Sequence, residues 1–308
     1  MNAKSVFSGV ADGLVMVKGQ SQEEGFIMHE NGKWAGSMKN LTNSRMYSVK
    51  MSADQDFSLI GGRISAQDQK ITIVRGWNWV GYYGSQVISV TDALAGMNPQ
   101  NGDIIKGQSG VAYYDNFEWN GSLKTLEPGH GYMIMSTTDA ERQFSYPSVT
   151  TSPRRAPKMA TAPSSFDPVD YHEFSGNMIV IAKVLFNGQP AKDAELAIFA
   201  EGQCRQAEFT DEDGMVYMTV PGDKQTTLRA VAVINGLFYN IEQSVDYRND
   251  DIVGSPSNPL VLTVGSQTTG ISAINADSDD MMFDLQGRKV ESDTQNGIII
   301  KGRKKIIK

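Results

Sequence analysis

Three histidines, one cysteine and a run of carboxylates are the residues with which this chain could do chemistry. His29, His130 and His172 are dispersed, and none has an HExxH or zinc-ligand spacing. His130 sits in "PGHGY", a turn signal. Cys204 has no Cys–His pattern around it, so the expectation is a small strand residue rather than a nucleophile. GxSxG, P-loop and dinucleotide fingerprints are absent from the sequence. "TDEDG" (210–214) gathers Asp211, Glu212 and Asp213. Calcium takes several oxygen ligands, which makes Asp211 and Asp213 a candidate calcium pair. The EF-hand spacing is missing, and a turn between strands is the competing expectation. "DYRNDD" (246–251) has the same ambiguity in weaker form. No other cofactor is called for.

The aromatic residues are the candidates for binding. Tyr82, Tyr83, Tyr113, Tyr114 and Trp119 could present ring faces to a glycan or a protein partner. Trp77 and Trp79 are two apart and share one strand face, which is more often the core face.

The bulk numbers narrow the classes. With 28 basic and 35 acidic residues in 308, the net charge is -7. A general nucleic-acid binder needs a basic face to displace counterions, so that class is excluded. No run approaches the roughly 18 apolar residues of a transmembrane helix. A single cysteine makes an intramolecular disulfide impossible. The opening "MNAKSVFSGVADG" has no apolar core of a secretory signal.

The elements that position these residues come in two copies. Lys18-Gly19-Gln20-Ser21 matches Lys106-Gly107-Gln108-Ser109, and Gly36-Ser37 matches Gly121-Ser122. Lys39, Leu41 and Tyr47 match Lys124, Leu126 and Tyr132, and Trp34 falls near Trp119. A period of roughly 85 residues indicates two units built alike. The second opens with "ITIVRGWNWVGYY" (71–83), which the first lacks. The expectation is therefore a C-terminal part of a longer protein, opening inside the first repeat. Within a unit the texture is β, with one short helix at "SVTDALAGM" (89–97), where Ser89 and Asp92 have capping-box-like spacing.

The predicted fold is mainly β. Two tandem β-rich repeats (1–70, N-terminally truncated, and 71–146) are followed by a Pro/Ser-rich linker (147–168). Residues 169–265 read as a β-sandwich, because strand-like runs recur every 10 to 15 residues with turn residues between them. A small β unit, 266–308, ends the chain.

Within the sandwich, "AELAIFAEGQCRQAEFTDEDGMVYMTV" resembles carboxypeptidase-regulatory-like and prealbumin-type domains, through "TD-x-x-G" before a strand. It also resembles a module of secreted Bacteroidetes proteins with a Cys-Arg pair, here Cys204-Arg205. Both imply a non-catalytic sandwich. "MMFDLQGRKVESDTQNGIIIKGRKKIIK" (281–308) resembles the C-terminal sorting domain of the type IX secretion system. Asp284, Gly287, Arg288 and Lys289 fill its first motif, Gly297 opens the second, and Lys301, Lys304 and Lys305 belong to the basic strand. Phe283 and Ile299 stand where the family has tyrosine. The repeat "GWNWVGYY … SLKTLEPGHGYM" is similar to tandem modules of the same secreted proteins.

These resemblances imply a secreted or cell-surface location, attached to the outer membrane. The implied partners are the secretion machinery or surface components. The expected role is that of non-catalytic spacer and interaction modules with a sorting tail. The alternative is a carbohydrate-binding accessory region of an upstream extracellular hydrolase.

Overall fold

The computed structural model describes residues 1–59, 69–148 and 164–267, and four further strands within 282–307. Residues 149–163 of the expected linker lie outside the described residues. The fold is mainly β, and no helix of the described residues is long and apolar enough to cross a membrane. The chain divides into two compact units, Met1–Gly107 with Ala112–Lys158, and Gln108–Val111 with Met159–Lys308.

In the first unit, α1 (Ala3–Phe7) is capped by Asn2, whose side chain accepts the Ser5 N–H. A five-residue helix has no stability of its own. Ala3 and Phe7 bury it against Leu14, Val17, Ile27 and Met38. Strands β1 (Leu14–Lys18), β2 (Phe26–Glu30), β3 (Lys33–Gly36) and β4 (Ser48–Met51) form a sheet in the order β3-β2-β1-β4.

The second repeat follows the same plan. β5 (Ile71–Ile73), β6 (Gly76–Gly81) and β7 (Ile88–Ser89) lead to α2 (Val90–Leu94). Ser89 caps α2 by accepting the Asp92 N–H at 3.0 Å. β8 (Ile104–Lys106), β9 (Val111–Asp115), β10 (Glu118–Gly121), β11 (Thr125–Leu126), β12 (Gly131–Ser136) and β13 (Arg142–Phe144) complete it. The main sheet runs β10-β9-β8-β12-β6, with β11 on β7 and β13 on β5.

The two copies share more than strand order. Tyr47 Oη accepts the Thr42 N–H at 2.9 Å, and Tyr132 Oη accepts the Glu127 N–H at 2.8 Å. Ala3 N donates to Lys39 O, as Val90 N donates to Lys124 O. The extra strand of the second copy, β6, is met by the first copy's Gln20. Its side-chain amide donates to Trp77 O at 2.6 Å and accepts the Trp79 N–H at 2.8 Å.

The second unit contains β14 (Gly176–Phe186), β15 (Gln189–Pro190), β16 (Glu195–Ala200), β17 (Gln203–Phe209), β18 (Met215–Gly222), β19 (Thr227–Ile234), β20 (Leu237–Asp246), β21 (Ile252–Val253) and β22 (Leu260–Gln267). The sheet runs β15-β14-β22-β20-β19-β16-β17, and β18 and β21 also pair with β14. β22 pairs with β14 through Leu260–Thr263 and with β20 through Val264 and Gln267. It therefore carries the sheet from one layer of the sandwich to the other. Met178, Val180, Leu196, Ile198, Met218 and Val220 belong to the core between the layers.

A second apolar cluster lies on the opposite face of β16, where Phe166 packs with Phe199, Cys204, Val231 and Val233. The buried Glu195 anchors the chain that arrives there, accepting from Ser164 Oγ and from the Ser165 N–H. β23 (Met282–Asp284), β24 (Lys289–Val290), β25 (Ile298–Lys301) and β26 (Lys304–Ile307) form an antiparallel sheet in the order β24-β23-β25-β26. Asp284, Lys289, Lys301, Lys304 and Lys305 fall on these strands, whereas Gly287, Arg288 and Gly297 lie outside the described residues.

Candidate functional site

The structure separates the aromatic candidates. Tyr82 is buried, and its hydroxyl donates to Gln86 O at 2.6 Å, so it has no face to offer a ligand. Tyr83 packs edge-on to Tyr146 and donates to Gln69 O. Burial raises the pKa of both hydroxyls. Tyr113 and Tyr114 are half-buried, and Trp119 meets Tyr114 in a tilted ring contact while packing against the core.

Trp77 and Trp79 depart from the core-face expectation. Asn78 and Val80 take the buried side of β6, and the tryptophans are half-buried on the other. The reason is local. Asn78 closes the turn that precedes the strand, accepting the Val74 N–H and donating to Val74 O, which fixes the side chain inward. Lys106 Nζ lies 4.9 Å from the Trp77 ring centre.

Asp211 and Asp213, the candidate calcium pair, stand in a turn. Asp211 Oδ1 accepts the backbone N–H groups of Asp213 and Met215, at 3.0 and 2.8 Å. Glu212 pairs instead with Lys192 at 2.8 Å. Two backbone donors on one carboxylate oxygen make a turn-closing arrangement, the alternative that the sequence left open. No group of three or more His, Cys, Asp or Glu among the described residues is placed to hold a metal. Of the histidines, His172 pairs with the exposed Asp170, its near neighbour in sequence. Cys204 is buried, and burial pushes its thiol up to about 12.

The site with unused chemistry is next to that cysteine. β16 and β17 form a hairpin closed by Glu201 and Gly202, both at positive φ, the conformation of a tight two-residue turn. Ala200 faces Gln203 and Phe199 faces Cys204, but Ile198 faces Gln206. Arg205 is the extra residue of a β-bulge, a device that re-aims a side chain. Its guanidinium enters a recess of ≈ 330 Å³ at one end of the sandwich, lined by Phe174, Glu201, Gly222, Asp223, Lys224 and Tyr247 among others.

The guanidinium is held on one side and unmet elsewhere. Its carbon lies 4.3 Å from the Phe174 ring centre. Nη2 is 3.5 Å from Glu201 Oε2, and Glu201 is drawn the other way by Lys224 Nζ at 2.7 Å. Nε and Nη1 are buried and meet no hydrogen-bond acceptor among the described residues. The Arg205 side chain is only 6% exposed. Burial pulls its pKa below the usual value, against the pull of Glu201 and Asp223.

The frame around it is tied down. Tyr247 Oη donates to Gly222 O at 2.7 Å, and burial pushes this phenol up to about 12. A Cβ at Gly222 would lie 2.7 Å from the Tyr247 ring, so this approach needs glycine. Asp223 Oδ1 accepts both the N–H and the hydroxyl of Ser175 at 2.7 Å. Sequence reasoning reached Cys204-Arg205 only as part of a resemblance. Strand alternation could not have placed Arg205, because a bulge breaks the period on which alternation rests.

No family model matches the chain, and no curated protein matches it. Among solved structures it is similar to the Bacillus anthracis TIE protein, at 10% identity and a TM-score of 0.20, over 86% of this chain and 47% of that one. The chain thus spans about half the length of that protein, and so loose a superposition carries neither fold nor function across.

Proposed function

We propose that this chain is a non-catalytic region of a secreted or cell-surface protein. The two repeats serve as spacers, the sandwich as an interaction module, and the C-terminal β unit as a sorting tail read by the secretion machinery. The observation that carries the interaction role is the buried Arg205 guanidinium beside a recess, with two donors unmet among the described residues. A fold that only spaces other parts gains nothing from that burden, since an unmatched buried donor costs about 1–3 kcal/mol.

Two further points support the reading. The Cys204 thiol, pushed up to about 12, stays protonated at neutral pH and is a poor nucleophile. The basic Lys301, Lys304 and Lys305 stand on paired strands, as a recognised β tail requires. A sugar-binding role in the service of an upstream hydrolase would rest on Tyr113, Tyr114 and Trp119. Trp119 spends part of its ring on the core.

The location is tested in the native cell by fractionating the intact protein and a variant ending at Asn296, which lacks the second motif and the basic strand. The expected result is an intact protein outside the cell or on its surface and a shortened one retained inside. Equal distribution of the two would overturn the role of the tail.

A further inference from the structure

We propose that the recess at Arg205 is a binding site for a carboxylate group. This gives a ligand class to the interaction module proposed above and rests on that reading for the sandwich alone. A guanidinium offers planar, charge-assisted donors that match a carboxylate, and such bonds are stronger than neutral ones. At Arg205 two of these donors have no acceptor among the described residues. The guanidinium carbon rests 4.3 Å from the Phe174 ring centre, and this contact limits the freedom left to be lost when a ligand arrives.

The nearest protein carboxylate does not fill the role. Glu201 stands 3.5 Å from Nη2, beyond a good charged hydrogen bond, because Lys224 holds its other oxygen at 2.7 Å. Asp223 is engaged by Ser175. Among the described residues the site therefore lacks an acceptor of its own for Nε and Nη1.

The surroundings choose among acceptors. Glu173, Glu201 and Asp223 line the recess with Arg205 and Lys224, three carboxylates against two cations. A doubly charged phosphate would meet more repulsion there than a singly charged carboxylate. A neutral carbonyl would not offset the buried charge. The recess, at ≈ 330 Å³, is at the small end of ligand sites and suits a compact acid.

The test is a titration of the intact, isotope-labelled chain followed by NMR, with acetate, N-acetylglycine, glucuronate, acetamide and inorganic phosphate in separate arms. Saturable shifts are expected for the carboxylates at Gly202, Arg205 and Asp223, with a dissociation constant of millimolar order for acetate. Acetamide and phosphate are expected to bind at least tenfold more weakly. Tighter binding of N-acetylglycine than of glucuronate assigns the carboxylate to a peptide terminus, and the reverse assigns it to a sugar acid. Arg205→Met should weaken acetate at least tenfold. Glu201→Gln, which removes a competing carboxylate and leaves Arg205 in place, should tighten it several-fold. The proposal is overturned if no carboxylate gives saturable shifts at the recess, if Arg205→Met binds acetate as well as the parent, or if phosphate or acetamide binds as tightly. Silence here, with the tail still directing export, would sink the ligand class and leave the location standing.

Discussion

Two buried arginines, one in each unit, show opposite uses of the same side chain. In the second repeat, Arg142 Nη1 donates to the fully buried Asp103 at 2.6 Å and to Asn98 O at 3.1 Å, and its Nη2 donates to Ser136 Oγ at 2.7 Å. Asp103 also accepts the backbone N–H groups of Gln100 and Thr137. The Arg142 Nε meets no acceptor among the described residues. In the sandwich, Arg205 is at least as buried, yet Glu201, the carboxylate it pairs with, is 3.5 Å away and half-exposed. Arg142 therefore locks β13 to the loop before β8. Arg205 is held against Phe174 and leaves its buried Nε and Nη1 without an acceptor among the described residues. The first arrangement ties the fold together, and the second leaves donors for the proposed binding site.

The contrast can be broken first at Arg142. Arg142→Met strands the buried Asp103 carboxylate and should cost about 3–5 kcal/mol in denaturant unfolding of the first unit. A loss below about 1 kcal/mol would mean that the ion pair is not the clamp described above.

A smaller effect sharpens the comparison between the repeats. Their hairpin turns are Asn31-Gly32 and Asn116-Phe117, with φ of 50° and 73° in the first and 49° and 69° in the second. Glycine adopts this conformation freely and phenylalanine does not. Phe117 is also 90% exposed, so no packing offsets the strain. Phe117→Gly should stabilise the protein by about 1 kcal/mol, and Gly32→Phe should destabilise it by about 1–2 kcal/mol, both read from thermal unfolding. Negligible effects at both positions would show that positive φ carries no appreciable strain at these turns.

Legibility followed the range of the interactions. The helix at 89–97 could be read because its cap is local, and Ser89 meets the Asp92 N–H three residues on. The pairing of Tyr47 with Tyr132 was also legible, as a recurrence. What the tyrosines do, each tying down a backbone N–H five residues upstream, needed coordinates. Lys18 and Lys106 are the same letter in the same motif, but Lys18 is exposed and Lys106 is buried against Trp77 of β6. The first repeat has no matching strand in its sheet among the described residues, so identical sequence led to different surroundings. Period-two alternation assigned Trp77 and Trp79 a face, but the turn-closing Asn78 decided it. Arg205 was hidden for a related reason, because one inserted residue shifts which side chains face the recess.

The division between a structural and an idle arginine is tested most directly by unfolding Arg142→Met and Arg205→Met side by side with the parent, each followed at the transition of its own unit. Arg205→Met removes a buried, under-partnered cation, keeps most of its volume and leaves Glu201 paired with Lys224. Its stability should stay within about 1 kcal/mol of the parent or rise, while Arg142→Met loses several times that amount. A loss at Arg205 as large as the loss at Arg142 would contradict the account, because it would make Arg205 part of the scaffold.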